Sequence, residues 1–292
     1  MFNYEMFFIK NLTNLHVGSG DSNFGVVDNL VQKDVITNVP IISSSSLKGA
    51  IRDYFRQKGD SFYSDICKCC FDSLFGLEDS KEEDKECEKF PKFGLVSFLD
   101  AKLLFLPLRT NHKKSPYVLA TSKFVIEEFI KTLNELELSY EENIKNLLKE
   151  ENIVEGMKNN EYLIEDTKVK EEKIENLSKI KEFFKIDKNI PIAVLTKEEF
   201  SYYAKNLPVV ARNRLNNGKS ENLWYEEIVP RESIFYTIFG IYKNLGEEDK
   251  DKFLNAYKKF KNTLLNEKVQ IGANISIGYG VCKFYKGNNN EK

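Results

Sequence analysis

The chain has 292 residues, of which 41 % are hydrophobic and 30 % charged, enough apolar side chain for a core in one large domain or two smaller ones. Its apolar runs are only a few residues long, and the opening MFNYEMFFIK carries Glu5 and Lys10 around a short apolar patch, so neither a membrane span nor a secretory signal is expected. The formal net charge of -2 speaks against a nucleic-acid binder until its distribution is read: residues 60–92 hold ten acidic and five basic side chains, residues 127–187 hold seventeen and ten, and removing that -12 leaves +10 on a basic body with two acidic insertions.

A strand is expected over Tyr4 to Leu12, whose aromatic and β-branched residues suit a half-buried pleated surface. His16 then leads into the turn Gly18-Ser19-Gly20, followed by Asp21 and Asp28. Such turns bring backbone N–H groups close to a ligand, often phosphate, whereas the two aspartates would repel one. A loop aspartate usually serves a turn or cap; beside a phosphodiester, Asp28 could instead bind a divalent cation or take part in proton transfer. For a lone histidine at the end of an apolar strand, a structural hydrogen bond is the ordinary reading and contact with substrate the functional one.

The next element is a helix over SSLKGAIRDYF, with N-cap oxygens offered by Ser44, Ser45 and Ser46 and with Leu47, Ile51 and Tyr54 at helical spacing. Lys48 in its first turn, with Arg52 and Arg56 continuing the face, could join the serine hydroxyls and backbone donors on one phosphate. A second helix, DICKCCFDSLFG, runs into a charged loop that reaches residue 92. Cys67, Cys70 and Cys87 are three potential zinc ligands without a fourth. An odd total of five cysteines is read as free thiols in a reducing cytoplasm.

Gly94 to Arg109 reads as a central strand, residues 122–190 as an inserted helical subdomain, and Thr196 with Glu199 as the capping box of a further helix. Two strands then flank Asn216-Asn217-Gly218, a strong hairpin signal. Arg212, Arg214, Lys219 and the single Trp224 alternate with apolar residues along it, which suits insertion along a nucleic-acid strand as well as a plain surface hairpin. The chain ends with a strand, a helix over EEDKDKFLNAYKKFKNTLL and a glycine-punctuated strand pair. Without the insertions the order is β-α-β-β-α-β: an α+β, ferredoxin-like (RRM-like) antiparallel sheet with helices on one face and a protruding hairpin.

LHVGSG, VVDNLVQKD, PIISSSSLKGAIR and IGANISIGYG, in this order between Phe7 and Phe284, resemble the signature elements of the RAMP proteins of CRISPR effector complexes. LVSFLDAKLLFLPLR, ARNRL and LWYEEIVP are similar to segments of the backbone subunits of the Cmr (type III-B) complex, with the Csm (type III-A) backbone subunits as the alternative. The chain departs from the superfamily in having Ser43 and Ser44 where glycine is frequent, and ANISIG where a threonine often precedes the aliphatic residue. The resemblance implies one RAMP domain over 1–292, with insertions at 60–92, 122–190 and 206–230. It also implies copies polymerised along a CRISPR RNA (crRNA) beside other Cmr subunits, each copy cutting the paired single-stranded target RNA.

Under that resemblance Asp28 matches the carboxylate required for cutting, and residues 206–230 match the thumb hairpin that displaces a base pair. Ser44, Ser45, Ser46 and Lys48, together with Gly272, Asn274, Gly278 and Gly280, match the two elements that hold guide backbone. The expected reaction is an internal transesterification by the RNA 2′-OH, assisted by Mg²⁺ or Mn²⁺ at Asp28, with His16 as a helper and no organic cofactor. A non-catalytic RNA-binding subunit and a histidine-dependent repeat-RNA processing enzyme are the competing readings, and the count of only two histidines weighs against the latter.

Overall fold

The computed structural model describes residues 2–20, 25–77, 90–157 and 160–287. In chain order, β1 (Phe2–Asn11) and β2 (Ile41–Ile42) precede α1 (Ser44–Arg56) and the short α2 (Lys68–Asp72). Then come β3 (Val96–Phe98), β4 (Ala101–Arg109), β5 (Tyr117–Ser122) and α3 (Lys123–Glu135). They are followed by β6 (Ile153–Glu155), β7 (Glu161–Ile164), β8 (Thr167–Glu172), α4 (Leu177–Phe183), β9 (Ile192–Leu195) and α5 (Lys197–Lys205). The chain closes with β10 (Val209–Asn216), β11 (Lys219–Glu227), β12 (Ile234–Tyr242), α6 (Glu247–Asn266), β13 (Lys268–Gln270) and β14 (Val281–Tyr285).

The strand order β14-β1-β12-β4 is the ferredoxin-like order, and every pair in it is antiparallel. The expected central strand over 94–109 breaks at Leu99-Asp100: β3 and β4 both pair with β12, and the Leu99 N–H donates to Ile238 O at 3.0 Å. Side-chain alternation divides the sheet into two aromatic faces. On one face Phe7 packs on Phe239, and Phe98 and Phe239 meet Phe260 of α6, which also touches Phe55 of α1 and Phe71 of α2. α1 is held there by Leu47, Ile51 and Phe55, all buried, with Phe55 taking the inward place expected of Tyr54.

Helices were expected on one face only, but the other face is covered as well. Phe8 packs on Phe129 of α3, Phe183 of α4, Phe184 and Tyr285, at centroid distances of 6.1, 5.3, 5.4 and 5.4 Å. Phe129 also meets Tyr236, and Phe184 meets Phe105. Each fully buried ring contributes roughly 1.5–3 kcal/mol, so the insertion over 122–190 is part of the core and not an appendage to it. Nor is it simply helical: β6, β7 and β8 lie inside it, and with β5 and β9 they extend the sheet, β5 with β9 and β6 with β8 being parallel. These strands are three to six residues long, and β8 turns Glu171 inward beside Val169, which erases the alternation that would have marked it.

A smaller correction concerns residues 60–92. Cys67 caps the N-terminus of α2, and its sulfur is joined to that of Cys70, one turn on, with the Cα atoms 5.1 Å apart; free thiols were expected there. Cys282 is a buried free thiol, whereas Cys87, like Asp21, lies outside the described residues. The Thr196–Glu199 capping box is present on α5. β10 and β11 form a separate two-stranded sheet closed by Asn217 (φ 50°) and Gly218 (φ 77°), the left-handed pair of a two-residue hairpin turn. Among the described residues no helix is long and apolar enough to cross a membrane.

Candidate nucleic-acid interface

The chain between β1 and α1 folds back on itself as a small platform. Leu15 bridges Val229, Gly18 bridges Val31, and Lys33 bridges Pro40. Gln32 ties this platform to the start of α1: its Oε1 accepts from Ser43 N at 3.0 Å and its Nε2 donates to Ser46 Oγ at 3.2 Å. The N-cap is Ser43, whose Oγ accepts from Ser46 N at 3.4 Å, and Ser44 N donates to Asp100 Oδ1 at 2.6 Å. The expected caps Ser44, Ser45 and Ser46 therefore lie one register further in, and Asp100 already takes one of the helix donors assigned to phosphate. Lys48 is half-buried beside Arg52, and both burial and that guanidinium push its ammonium below the usual lysine value. A cation destabilised in this way gains from an approaching anion.

Asp28 is held by the hairpin. Its N–H and that of Asn29 donate to Tyr225 O at 3.0 and 3.2 Å, Glu227 N donates to Asn29 O at 2.9 Å, and Tyr225 N donates to Asp28 Oδ2 at 2.7 Å. Residues 28–29 thus run as a short parallel edge along β11, and the carboxylate, itself exposed, is aimed by a backbone donor at the hairpin base.

Beneath it lies a buried polar cluster. Glu226 Oε2 accepts from Arg212 Nε at 3.2 Å and from Asn274 Nδ2 at 2.7 Å, while His16 Nε2 stands 3.8 Å from Glu226 Oε1. Arg212 Nη2 is also 3.2 Å from the same carboxylate, off hydrogen-bond alignment, and the guanidinium lies over the Tyr279 ring at 4.5 Å. His16 is 4 % exposed and its Nδ1 is 2.7 Å from Glu227 O, which is the structural hydrogen bond of the ordinary reading. The C-terminal glycine loop closes over this histidine: Ala273 N donates to His16 O at 2.8 Å. Gly272 (φ +84°) admits no side chain, since a Cβ would stand 2.3 Å from His16 O. Gly280 is packed more tightly still, since a Cβ would stand 1.9 Å from Ile271 O, whereas Gly278 faces open space beside the exposed Ile275 and Ile277.

Of the remaining hairpin residues, Arg214 is exposed and lies 3.5 Å from Glu221. Trp224 is half-buried opposite Arg212, and the apolar side chains that project are Val209, Leu215, Leu223 and Tyr225. The structure therefore brings His16, Asp28, Arg212, Asn274 and Gly272 to the hairpin base. Ser44, Ser45, Ser46, Lys48 and Arg52 stand on α1, connected to that base through Gln32. Glu226, Glu227, Gln32, Lys33 and Asp100 escaped the sequence reading. The available signal was Glu226-Glu227 between Trp224-Tyr225 and Ile228-Val229: adjacent strand residues face opposite sides, so at a buried base at least one carboxylate must point inward.

Among the described residues no group of three His, Cys, Asp or Glu side chains could hold a metal ion. Asp28 alone, with one oxygen engaged by Tyr225, fits a hydrated divalent ion shared with an RNA phosphate and not an all-protein cage.

A ferredoxin-like sheet covered on both faces, with a hairpin, a glycine loop and a basic helix start at its rim, is the architecture that the chain presents. The RAMP superfamily pattern matches residues 8–283, and the chain belongs to that superfamily. It is similar to the CRISPR system Cmr endoribonuclease Cmr4 of Pyrococcus furiosus, with 28 % identity over 94 % of this chain and 92 % of that protein. A second relative, the CRISPR system CMR subunit Cmr4 of Saccharolobus solfataricus, is 26 % identical over 92 % of this chain and 94 % of its own length. In structure it is similar to a chain of the type III-B Cmr-beta complex in the apo state, solved by cryo-electron microscopy, with a TM-score of 0.73, 25 % identity and coverage of 97 % of this chain and 96 % of that one.

Proposed function

We propose that this chain is a backbone subunit of a type III-B CRISPR (Cmr) ribonucleoprotein, an endoribonuclease that binds crRNA and cuts complementary target RNA at regular intervals. The reading is supported by similarity to a named Cmr endoribonuclease over nearly the whole of both chains. The single structural observation that carries it is the exposed Asp28 carboxylate held on the base of the hairpin by Tyr225 N.

The apolar edge of the hairpin, Leu215, Leu223 and Tyr225, wedges between bases and splays the target nucleotide beside it. The freed 2′-OH then lines up with the adjacent phosphorus. The new bond joins the 2′-oxygen to phosphorus, the bond from phosphorus to the 5′-oxygen breaks, and the products are a 2′,3′-cyclic phosphate and a 5′-OH. Asp28 orients the 2′-OH and accepts its proton, and the departing 5′-oxygen takes a proton from water. A Mg²⁺ or Mn²⁺ ion, held through water by Asp28, would neutralise charge on the phosphate. Lys48 and Arg52 attract the guide backbone. Copies of this chain and other Cmr subunits complete the assembly.

The test is a complex reconstituted with guide RNA, in which Asp28→Asn is expected to bind target normally and to leave it uncut, and EDTA to stop the wild type. Cutting by Asp28→Asn at the wild-type rate refutes the reading. A wild type that never cuts, with Mg²⁺ or Mn²⁺ present, would leave a purely structural subunit.

A further inference from the structure

Glu227 is the point at which four separate segments meet. Its N–H donates to Asn29 O at 2.9 Å and its carbonyl lies 2.7 Å from His16 Nδ1. Its carboxylate, 3 % exposed as a residue, accepts from Val31 N at 3.1 Å through Oε2 and from Lys33 Nζ at 2.7 Å through Oε1. Lys33 Nζ also donates to Lys205 O at 2.8 Å, at the end of α5, immediately before the hairpin departs. Together with the contacts between Asp28 and Tyr225, these bonds attach residues 28–33 to β11 at both ends of the stretch. The Lys33 and Glu227 side chains are 15 % and 4 % exposed, so their attraction is little screened by solvent.

We propose that the Lys33–Glu227 ion pair is a clamp that makes the Asp28 segment travel with the hairpin, so that Lys33 acts as a positioning residue for RNA cutting. In the proposed function the hairpin meets RNA beyond this base, and the base is where β11 is bonded to the Asp28 segment. Because Asp28 hangs from β11 by Tyr225, displacement of a base and placement of the carboxylate become one movement. Lys33 does not touch the reacting atoms; it fixes the register between the strand that moves and the loop that carries the carboxylate. A shift of about 1 Å in such an arrangement is enough to cost on the order of 100-fold in rate.

This inference rests on the assignment of Asp28 as the cutting carboxylate, and the experiment separates the two. Complexes reconstituted with guide RNA and carrying wild type, Lys33→Met, Lys33→Arg or Asp28→Asn are compared for guide occupancy, target Kd and single-turnover cutting at saturating target. Lys33→Met is expected to cut at least tenfold more slowly with unchanged guide occupancy and target Kd, and Lys33→Arg, which retains the charge, to stay within threefold of wild type. An inactive Asp28→Asn beside a Lys33→Met that cuts at the wild-type rate overturns the clamp alone. So does a loss of guide occupancy in Lys33→Met, or an equal slowing in Lys33→Arg. Cutting by Asp28→Asn overturns the assignment on which the clamp depends.

Discussion

Replacing Glu226 with alanine tests whether the buried cluster locks the C-terminal glycine loop to the hairpin. Glu226 is 4 % exposed and serves Arg212, Asn274 and, at 3.8 Å, His16. Without it the Arg212 guanidinium, whose side chain is 18 % exposed, keeps its place over Tyr279 and loses its carboxylate. Breaking one partner out of such a pair costs about 3–5 kcal/mol when burial is complete, and the residual exposure of Arg212 places the expected loss at the lower end. The loop itself loses the Asn274 bond to a charged acceptor, about 1.5–3 kcal/mol, equivalent to roughly a 10- to 150-fold rise in the population of its open state. Amide hydrogen exchange at Ala273, which donates to His16 O, reads that population directly, and a urea melt reads the global loss. The Arg212→Ala variant supplies the control, because it leaves the Asn274–Glu226 bond in place. Exchange at Ala273 that is unchanged in Glu226→Ala would refute the idea that this carboxylate holds the loop.

Two further expectations concern the C-terminal glycine loop and the start of α1. Gly272→Ala must move the loop off His16, because its Cβ would lie 2.3 Å from a carbonyl oxygen, whereas Gly278→Ala at a similar φ of +81° meets open space. The second variant should cost only about 1–2 kcal/mol of backbone strain, the first clearly more, and thermal denaturation of both decides it. Lys48→Gln should weaken RNA binding evenly across sequences and lower the slope of log K against log salt by about 0.7 for a single strand. An unchanged slope would remove Lys48 from the interface.

The ferredoxin-like order was legible because its strands and helices are long and strongly patterned, as in β1, β12 and the Leu47-Ile51-Phe55 face of α1. Asn217-Gly218 announced the hairpin because only residues tolerant of positive φ close such a turn. The insertion was misread for the opposite reason: runs as short as Ile153–Glu155 carry no period, and Glu171 points inward. Asp28 could be singled out in the sequence as a candidate, but the residue that holds it could not, since Tyr225 uses a backbone atom that leaves no trace in side-chain identity. Glu226 and Glu227 each look in sequence like any surface acid, and only their place as a pair between Trp224-Tyr225 and Ile228-Val229 marks one of them as inward. Asp100 escaped because it caps α1 from 56 residues away.

The rings that seal the second sheet face, Phe129, Phe183 and Phe184 over Phe8, also settle what this fold can ignore. A ferredoxin-like sheet with an open face can stack bases on its own aromatics and so discriminate among them. Here the aromatics of that face are packed against the insertion, with Phe8 enclosed by Phe129, Phe183 and Phe184. RNA that approaches this chain therefore finds no open aromatic sheet face on which to stack its bases.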